Sequence, residues 1–359
     1  MYCLTLINSG LEKLCQLEVK EILKEKAIAD EQVIEFPVKD MQSLFTFLFR
    51  SQTARRILLS LGNYKNLDDI DFSKLEFPWK DFFPETFSFK VEVENVKGMD
   101  NRIEIAQKVA AKLFPFLEKQ QYLHPVLELK KPDFLVVVYK TETQYHLGLD
   151  ITGSELNSRQ YRIFTHQASM KGDLAYFFVR TSGYKVGEKL LLGLVKDGTM
   201  AVEAALFTYK QPVHKVQHQS FLKFPCYSAT LIQIKKETST NCVFAFDDRY
   251  PSIVASRKNA VLAGVKEFIN FQKYELDELD TRFDAEQFDT VIFHVTTKDE
   301  PRLNEILYQA HYILKKKGIF MLVSFKDLGL DDSDKFSLKK QGTIQRGDSV
   351  YRYWMMERK

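Results

Sequence analysis

Between residues 174 and 325, apolar strand-like runs alternate with helical runs, and this alternation limits the fold more than any other feature. The helix pattern "LAYFFVRTSG" leads into the apolar run "KLLLGLV", and the strand "CVFAFD" is followed by the helix "YPSIVASRKNAVLAG". "FINF", "FDTVIFHV", the helix "PRLNEILYQAHYIL" and "GIFMLVSF" extend the series. Strands joined by crossover helices of this length must run largely parallel, with helices covering both faces of the sheet. The final "SVYRYWMMERK" reads as a closing strand.

The first 164 residues use shorter units. In "LEKLCQLEVKEILKE", Leu11, Leu14, Leu17, Val19 and Ile22 recur at helical spacing, and Phe87, Phe89, Val91 and Val93 alternate as in a half-buried strand. The loop-rich "NLDDIDFSKLEFPWKDFFPE", with Pro78 and Pro84, separates two such α/β units. Three parts are expected: 1–62, 63–164 and 165–359. At 359 residues the chain exceeds a single ordinary core, and 45% hydrophobic with 28% charged residues describes a soluble globular protein. A net charge of +3 permits an acidic partner without demanding one. Cys3, Cys15, Cys226 and Cys242 are scattered without a CxxC pair, so free thiols in a reducing compartment are expected and no metal. The start "MYCLTLINSGLEKLCQ" lacks a basic, apolar leader pattern and no segment reaches membrane-spanning length, so a cytoplasmic location with no membrane partner is expected.

Several stretches carry a family resemblance. "LGLDITGSELNSRQYRIFTHQASMKGDLA" resembles the junction of THUMP-domain RNA methyltransferases, which runs roughly LDtSG, then L, then RGYR. "SGLEKLCQLEV", "FRSQTARRILLSL", "LKKPDFLVVVYK", "DDRYPSIVASRKNAVLAGV" and "ILKKKGIFMLVS" are similar to that family's segments in the same order. The resemblance implies an α/β chain with an N-terminal ferredoxin-like domain, a THUMP domain and a Rossmann-like class I methyltransferase domain. It also implies S-adenosylmethionine as methyl donor and the exocyclic amine of guanine in tRNA or ribosomal RNA as acceptor.

Two motifs depart from the family. Its first motif, approximately DPFCGSGTxxxEAA, aligns here on Gly198, Thr199, Glu203 and Ala204. Leu192 then replaces the acid, Gly193 the proline, Lys196 the first glycine of the pair and Asp197 the serine. Glycine serves such turns because the backbone approaches the ligand, often at positive φ, where a Cβ obstructs. The fourth motif, NPPY or DPPY, is replaced by His294, Val295, Thr296 and Thr297, losing both prolines and the stacking aromatic. A neutral His294 offers one acceptor nitrogen to an amine. Any cofactor would rest on Gly198, Asp247 at the end of "CVFAFD", and Glu275 in "NFQKYELDEL".

The expected partner is RNA, tRNA foremost, reached through Arg55, Arg56, Lys130, Lys131, Arg159, Tyr161 and Arg162 by phosphate neutralisation and stacking. An RNA-binding protein on a methyltransferase scaffold with degraded motifs is therefore expected, alone or as a non-catalytic subunit beside a catalytic partner. The alternatives are an active RNA guanine-N2 methyltransferase using Asp247, Glu275 and His294, and an interaction scaffold that binds neither cofactor nor RNA.

Overall fold

The computed structural model describes residues 1–120, 122–214, 220–227 and 242–359. It divides into two compact units, one of residues 1–156 with 214–233 and one of 157–213 with 234–359.

The first unit carries β1 (Tyr2–Ile7), α1 (Glu12–Leu23), β2 (Ile28–Asp30), β3 (Val33–Pro37), α2 (Met41–Arg50) and β4 (Ala54–Tyr64). It continues with α3 (Trp79–Phe82), β5 (Thr86–Glu94), α4 (Met99–Glu118), β6 (His124–Leu127), β7 (Phe134–Lys140) and β8 (Tyr145–Asp150). All eight strands form one sheet in the order β2-β3-β1-β4-β8-β7-β5-β6. The expected division at residues 62 and 63 falls within β4, which pairs antiparallel with both β1 and β8. In β5 the expected alternation holds, with Phe87, Phe89, Val91 and Val93 facing inward.

Helix α1 departs from its apolar pattern in one respect. Leu17 is exposed, and Glu18 is buried in the core instead. The Glu18 carboxylate accepts bonds from the Ser51 hydroxyl at 2.8 Å, the Gln52 amide at 2.7 Å and both the amide and hydroxyl of Thr53. These donors lie between the end of α2 and the start of β4, where the Gln52 and Thr53 amides follow the helix and the Glu18 carboxylate satisfies them.

The second unit is built from α5 (Gly172–Thr181), β9 (Leu190–Gly193), α6 (Thr199–Thr208), β10 (Val243–Asp247), α7 (Tyr250–Ala263), β11 (Ile269–Lys273) and α8 (Leu279–Arg282). It ends with β12 (Phe288–Val295), α9 (Glu300–Ile313), β13 (Leu314–Ser324), β14 (Phe336–Arg346) and β15 (Ser349–Arg358). The sheet order is β11-β10-β9-β12-β13-β15-β14. The first five strands are parallel, and β15 inserts antiparallel between β13 and β14. The short parallel strands are buried almost throughout, which explains their unbroken apolar runs. Strand β14 was not anticipated from the sequence, because "FSLKKQGTIQR" is too polar to stand out.

Candidate functional site

In the second unit the chain builds outward from β9 to β11, then returns to β12 on the other side of β9. The strand order therefore reverses between β9 and β12, and a crevice at the carboxyl ends of these strands is where such sheets hold ligands. The turn Leu194–Gly198 follows β9 there, and His294 lies near the end of β12.

The turn takes the left-handed backbone at Leu194 and Lys196, where glycine would be favoured. Leu194 has φ +57° and Lys196 φ +60°, and Gly198 has φ +76° at the N-terminus of α6. An L-residue in this region costs roughly 1–2 kcal/mol. The surroundings hold the turn in place: the Lys196 amide donates to Asp247 Oδ2 at 2.9 Å, and the Gly198 amide donates to the Val195 carbonyl at 2.8 Å. A Cβ on Gly198 would come within 2.6 Å of Ser256, so here only glycine fits. Burial lowers the Lys196 ammonium's affinity for its proton, and the carboxylates of Asp247 and Asp248 oppose that effect.

Gly198, Asp247 and Glu275 do not line the cavity that Leu192, Lys196 and His294 share. Asp247 is buried, with Oδ2 taken by the Lys196 amide and Oδ1 by the Arg249 amide at 3.0 Å. Glu275 forms a capping box with Glu278 at the start of a short 3₁₀ turn and pairs with Lys273. That arrangement gives Glu275 a local structural role and leaves it largely exposed to solvent. Leu192, Gly193, Lys196, Thr199, Met200 and His294 line a cavity of only about 10 Å³. A single water needs roughly 10–15 Å³, and pockets for drug-sized ligands run to about 300–1,000 Å³. His294 is buried, and its Nε2 has no hydrogen-bond partner among the described residues. Burial, with Lys196 and His166 nearby, pushes its pKa down to about 3, so the imidazole is neutral. The residues present do not fit S-adenosylmethionine: the acid position is the buried Leu192, and Lys196 borders what space remains.

The expectation that Arg159 and Tyr161 contact RNA is corrected. The side chains of Arg159 and Glu203 are both fully buried, with Arg159 Nε 2.7 Å and Nη2 3.2 Å from the two carboxylate oxygens. The Tyr161 hydroxyl donates to the same carboxylate at 2.6 Å. Neither side chain can reach a phosphate from there. Arg162 donates to the Thr199 hydroxyl at 3.1 Å and to Ser169 Oγ at 3.1 Å, and lies 3.6 Å from Asp197. "SRQYR" thus braces the turn and the first helical turns after β9. The sequence carried one signal of this: Glu203 is the lone acid in the apolar helix "TMAVEAALFT".

Arg55 and Arg56 are likewise committed within the first unit. Arg55 pairs with Glu94 and, at 2.9 Å, with Glu155. Arg56 pairs with Asp150 at 2.8 Å, Glu94 at 3.1 Å and Glu92 at 3.4 Å. Lys130 and Lys131 differ. Both are exposed and line an open groove of about 590 Å³ in the first unit with Lys90 and Lys223. Lys223 is held by Asp133 at 2.8 Å, whereas the ammonium groups of Lys90, Lys130 and Lys131 have no ion-pair partner among the described residues.

A parallel core ordered 3-2-1-4-5, counted by position in the second unit, with an antiparallel strand slipped in before the last, makes that unit a Rossmann-like methyltransferase-type domain. Residues 159–312 match the family described as UPF0020: RMKL-like, methyltransferase domain. Solved structures share the fold over the whole chain. TrmN from Thermus thermophilus is 18% identical at a TM-score of 0.70, covering 100% of this chain and 99% of that one. A possible methylase from Clostridium difficile 630 is 17% identical at 0.75, covering 100% and 98%. SMU.472, complexed with SAH, is 15% identical at 0.73, covering 99% and 97%. Among the described residues no helix is long and apolar enough to cross a membrane, and no group of three or more His, Cys, Asp or Glu could hold a metal ion.

Proposed function

We propose that this chain is an RNA-binding protein, with tRNA the foremost ligand, on a methyltransferase fold that no longer seats its methyl donor. The observation that carries the reading is the cavity of about 10 Å³ at the end of β9, walled by Leu192, Lys196 and His294. The RNA part rests on the resemblance to THUMP-domain RNA methyltransferases and on the unpaired lysines beside the 590 Å³ groove. In this reading residues 1–62 and 63–164 are the ferredoxin-like and THUMP parts, although they share one sheet. The protein works in the cytoplasm, either alone or as the RNA-holding subunit beside a catalytic partner.

Transfer chemistry typically needs a barrier reduction of roughly 8–23 kcal/mol, supplied by positioning and preorganised polar groups. In this reading the donor's seat is closed by Leu192 and Lys196, and a neutral, buried histidine stands where the acceptor's clamp is expected. The experiment is calorimetric titration of the full chain with S-adenosylmethionine, alongside binding of unmodified tRNA. No saturable heat with the donor, together with salt-dependent tRNA binding, is the expected pair of results. Asp247 at the end of β10 and the family match over 159–312 favour a second reading, an active RNA guanine-N2 methyltransferase. Transfer of labelled methyl to tRNA by the unaltered chain, lost on His294→Ala, would establish that reading and overturn the first.

A further inference from the structure

At the opposite end of the second sheet, where β9, β12 and β13 begin, the surface holds a second groove of about 260 Å³. Lys185, Lys315, Lys316 and Lys317 line it, against only two carboxylates, Glu188 and Asp289. Both acids are already engaged. Glu188 Oε2 accepts the Lys185 amide at 3.0 Å. Asp289 accepts the Lys189 amide at 2.9 Å and the Lys315 ammonium at 2.6 Å. Lys185, Lys316 and Lys317 are exposed, and their ammonium groups have no ion-pair partner among the described residues.

The start of β13, which presents Lys315 to Lys317, is specified rather than loose. Lys317 has φ +62°, in the left-handed region, and the β12–β13 ladder slips register between Phe288 and Thr290 at this end. A Cβ on the next residue, Gly318, would come within 2.8 Å of the Lys315 carbonyl and 3.1 Å of the Asp289 carbonyl, so the start of β13 is closely packed beneath its charged tips. Parallel sheets of this kind hold their small ligands at the carboxyl ends of the strands. A cation-lined groove at the amino ends is therefore not accounted for by the fold's usual ligand site.

We propose that this groove is a phosphate-binding face for the RNA backbone, separate from the crevice at the strand carboxyl ends. The proposal rests on the RNA-binding reading and adds to it a contact surface in the second unit. No aromatic side chain lines the groove, so the contact is to phosphates and fixes position without reading sequence. Such a face lets the second unit hold RNA whether or not its crevice accepts a donor.

The test is equilibrium binding of labelled tRNA to the full chain across a range of salt, for the parent, for Lys185→Ala/Lys316→Ala/Lys317→Ala, and for Lys130→Ala/Lys131→Ala. Each phosphate contact contributes about 0.7–0.9 to the slope of log affinity against log salt. Loss of all three contacts should lower that slope by roughly 2–3, with thermal unfolding unchanged because all three side chains are exposed. An unchanged slope and affinity in the triple variant, while the parent binds, would overturn this face and leave the RNA-binding reading standing. Absence of tRNA binding by the parent at low salt would overturn both. The first-unit variant separates the two cases further: a change there alone places the RNA contact on the 590 Å³ groove.

Discussion

Lys196→Gly is the most informative single perturbation of the crevice. Three effects on stability oppose one another. Relief of the φ +60° backbone gains roughly 1–2 kcal/mol. The extra freedom of glycine in the unfolded chain costs about 0.5–1 kcal/mol. Removing a half-buried aliphatic stem costs about another 1–1.5 kcal/mol, taking about 0.8 per fully buried methylene. The sum runs from about +0.5 to about −1.5 kcal/mol, which for a unit of this size moves the melting temperature by no more than about 3–6 °C. The fold should survive while the cavity between Leu192 and His294 loses the side chain that borders it. Combined with Leu192→Asp, the change should restore saturable S-adenosylmethionine binding. A ligand at a thousand times its Kd adds about 4 kcal/mol, which thermal unfolding with and without ligand reads directly. Methyl transfer should remain absent in this double variant, because His294 to Thr297 are unaltered. If the parent chain already shows the full ligand-dependent shift, or the double variant shows none, the argument that Lys196 and Leu192 close the seat is wrong.

Arg159→Ala should destabilise the second unit by about 3–5 kcal/mol, since it strands the Glu203 carboxylate in the core, and denaturant unfolding followed at Trp354 after Trp79→Phe measures it. Gly193→Ala should cost about 1–3 kcal/mol in the same assay, because a Cβ there meets Phe293 at 2.6 Å and Phe246 at 2.8 Å. His294 contributes a pH dependence whose sign follows from its depressed pKa. The unfolded chain takes up a proton near pH 6.5 that the folded chain refuses until about 3, so stability is complete above 6.5 and falls on acidification through that window. Relative to the parent, His294→Gln should remove up to about 1.4 kcal/mol per pH unit of this loss between pH 6 and 4, seen as converging melting temperatures.

The periodicity of the second half was enough to place its five parallel strands and their crossovers, because each buried strand is an unbroken apolar run bounded by turn residues. Strand β14 escaped notice because it is an edge strand with one wet face, and its alternation is diluted by "LKKQGT". The turn after β9 was placed by the alignment on Gly198, Thr199, Glu203 and Ala204, which put Lys196 where a glycine is expected. In the structure Lys196 takes the left-handed conformation that a glycine would favour, at φ +60°. The arginines misled for a physical reason. A guanidinium's sequence position says nothing about whether an acid lies opposite it, and Glu94, which meets both Arg55 and Arg56, is some forty residues away. Glu18 shows the same limit: its apolar neighbours mark a core helix, and only the fold shows that its carboxylate takes up the amides between α2 and β4.

The first unit is not a continuous piece of chain. Its core includes Phe221, fully buried against Phe45 and Phe49, and the return segment is tied in by His214 to the Ser51 carbonyl at 2.9 Å and by the Cys226 amide to the Asp81 carbonyl at 2.9 Å. During synthesis, residues 157–213 must therefore emerge before the piece that completes the preceding unit. At ribosomal rates of about 5–20 residues per second, the eight-stranded sheet waits on the order of ten seconds with its Phe221 site open. Residues 1–156 are in that interval an incomplete body, with Phe45 and Phe49 lacking the ring that later covers them. A gene fragment cut at residue 156 would leave the chain in that state permanently.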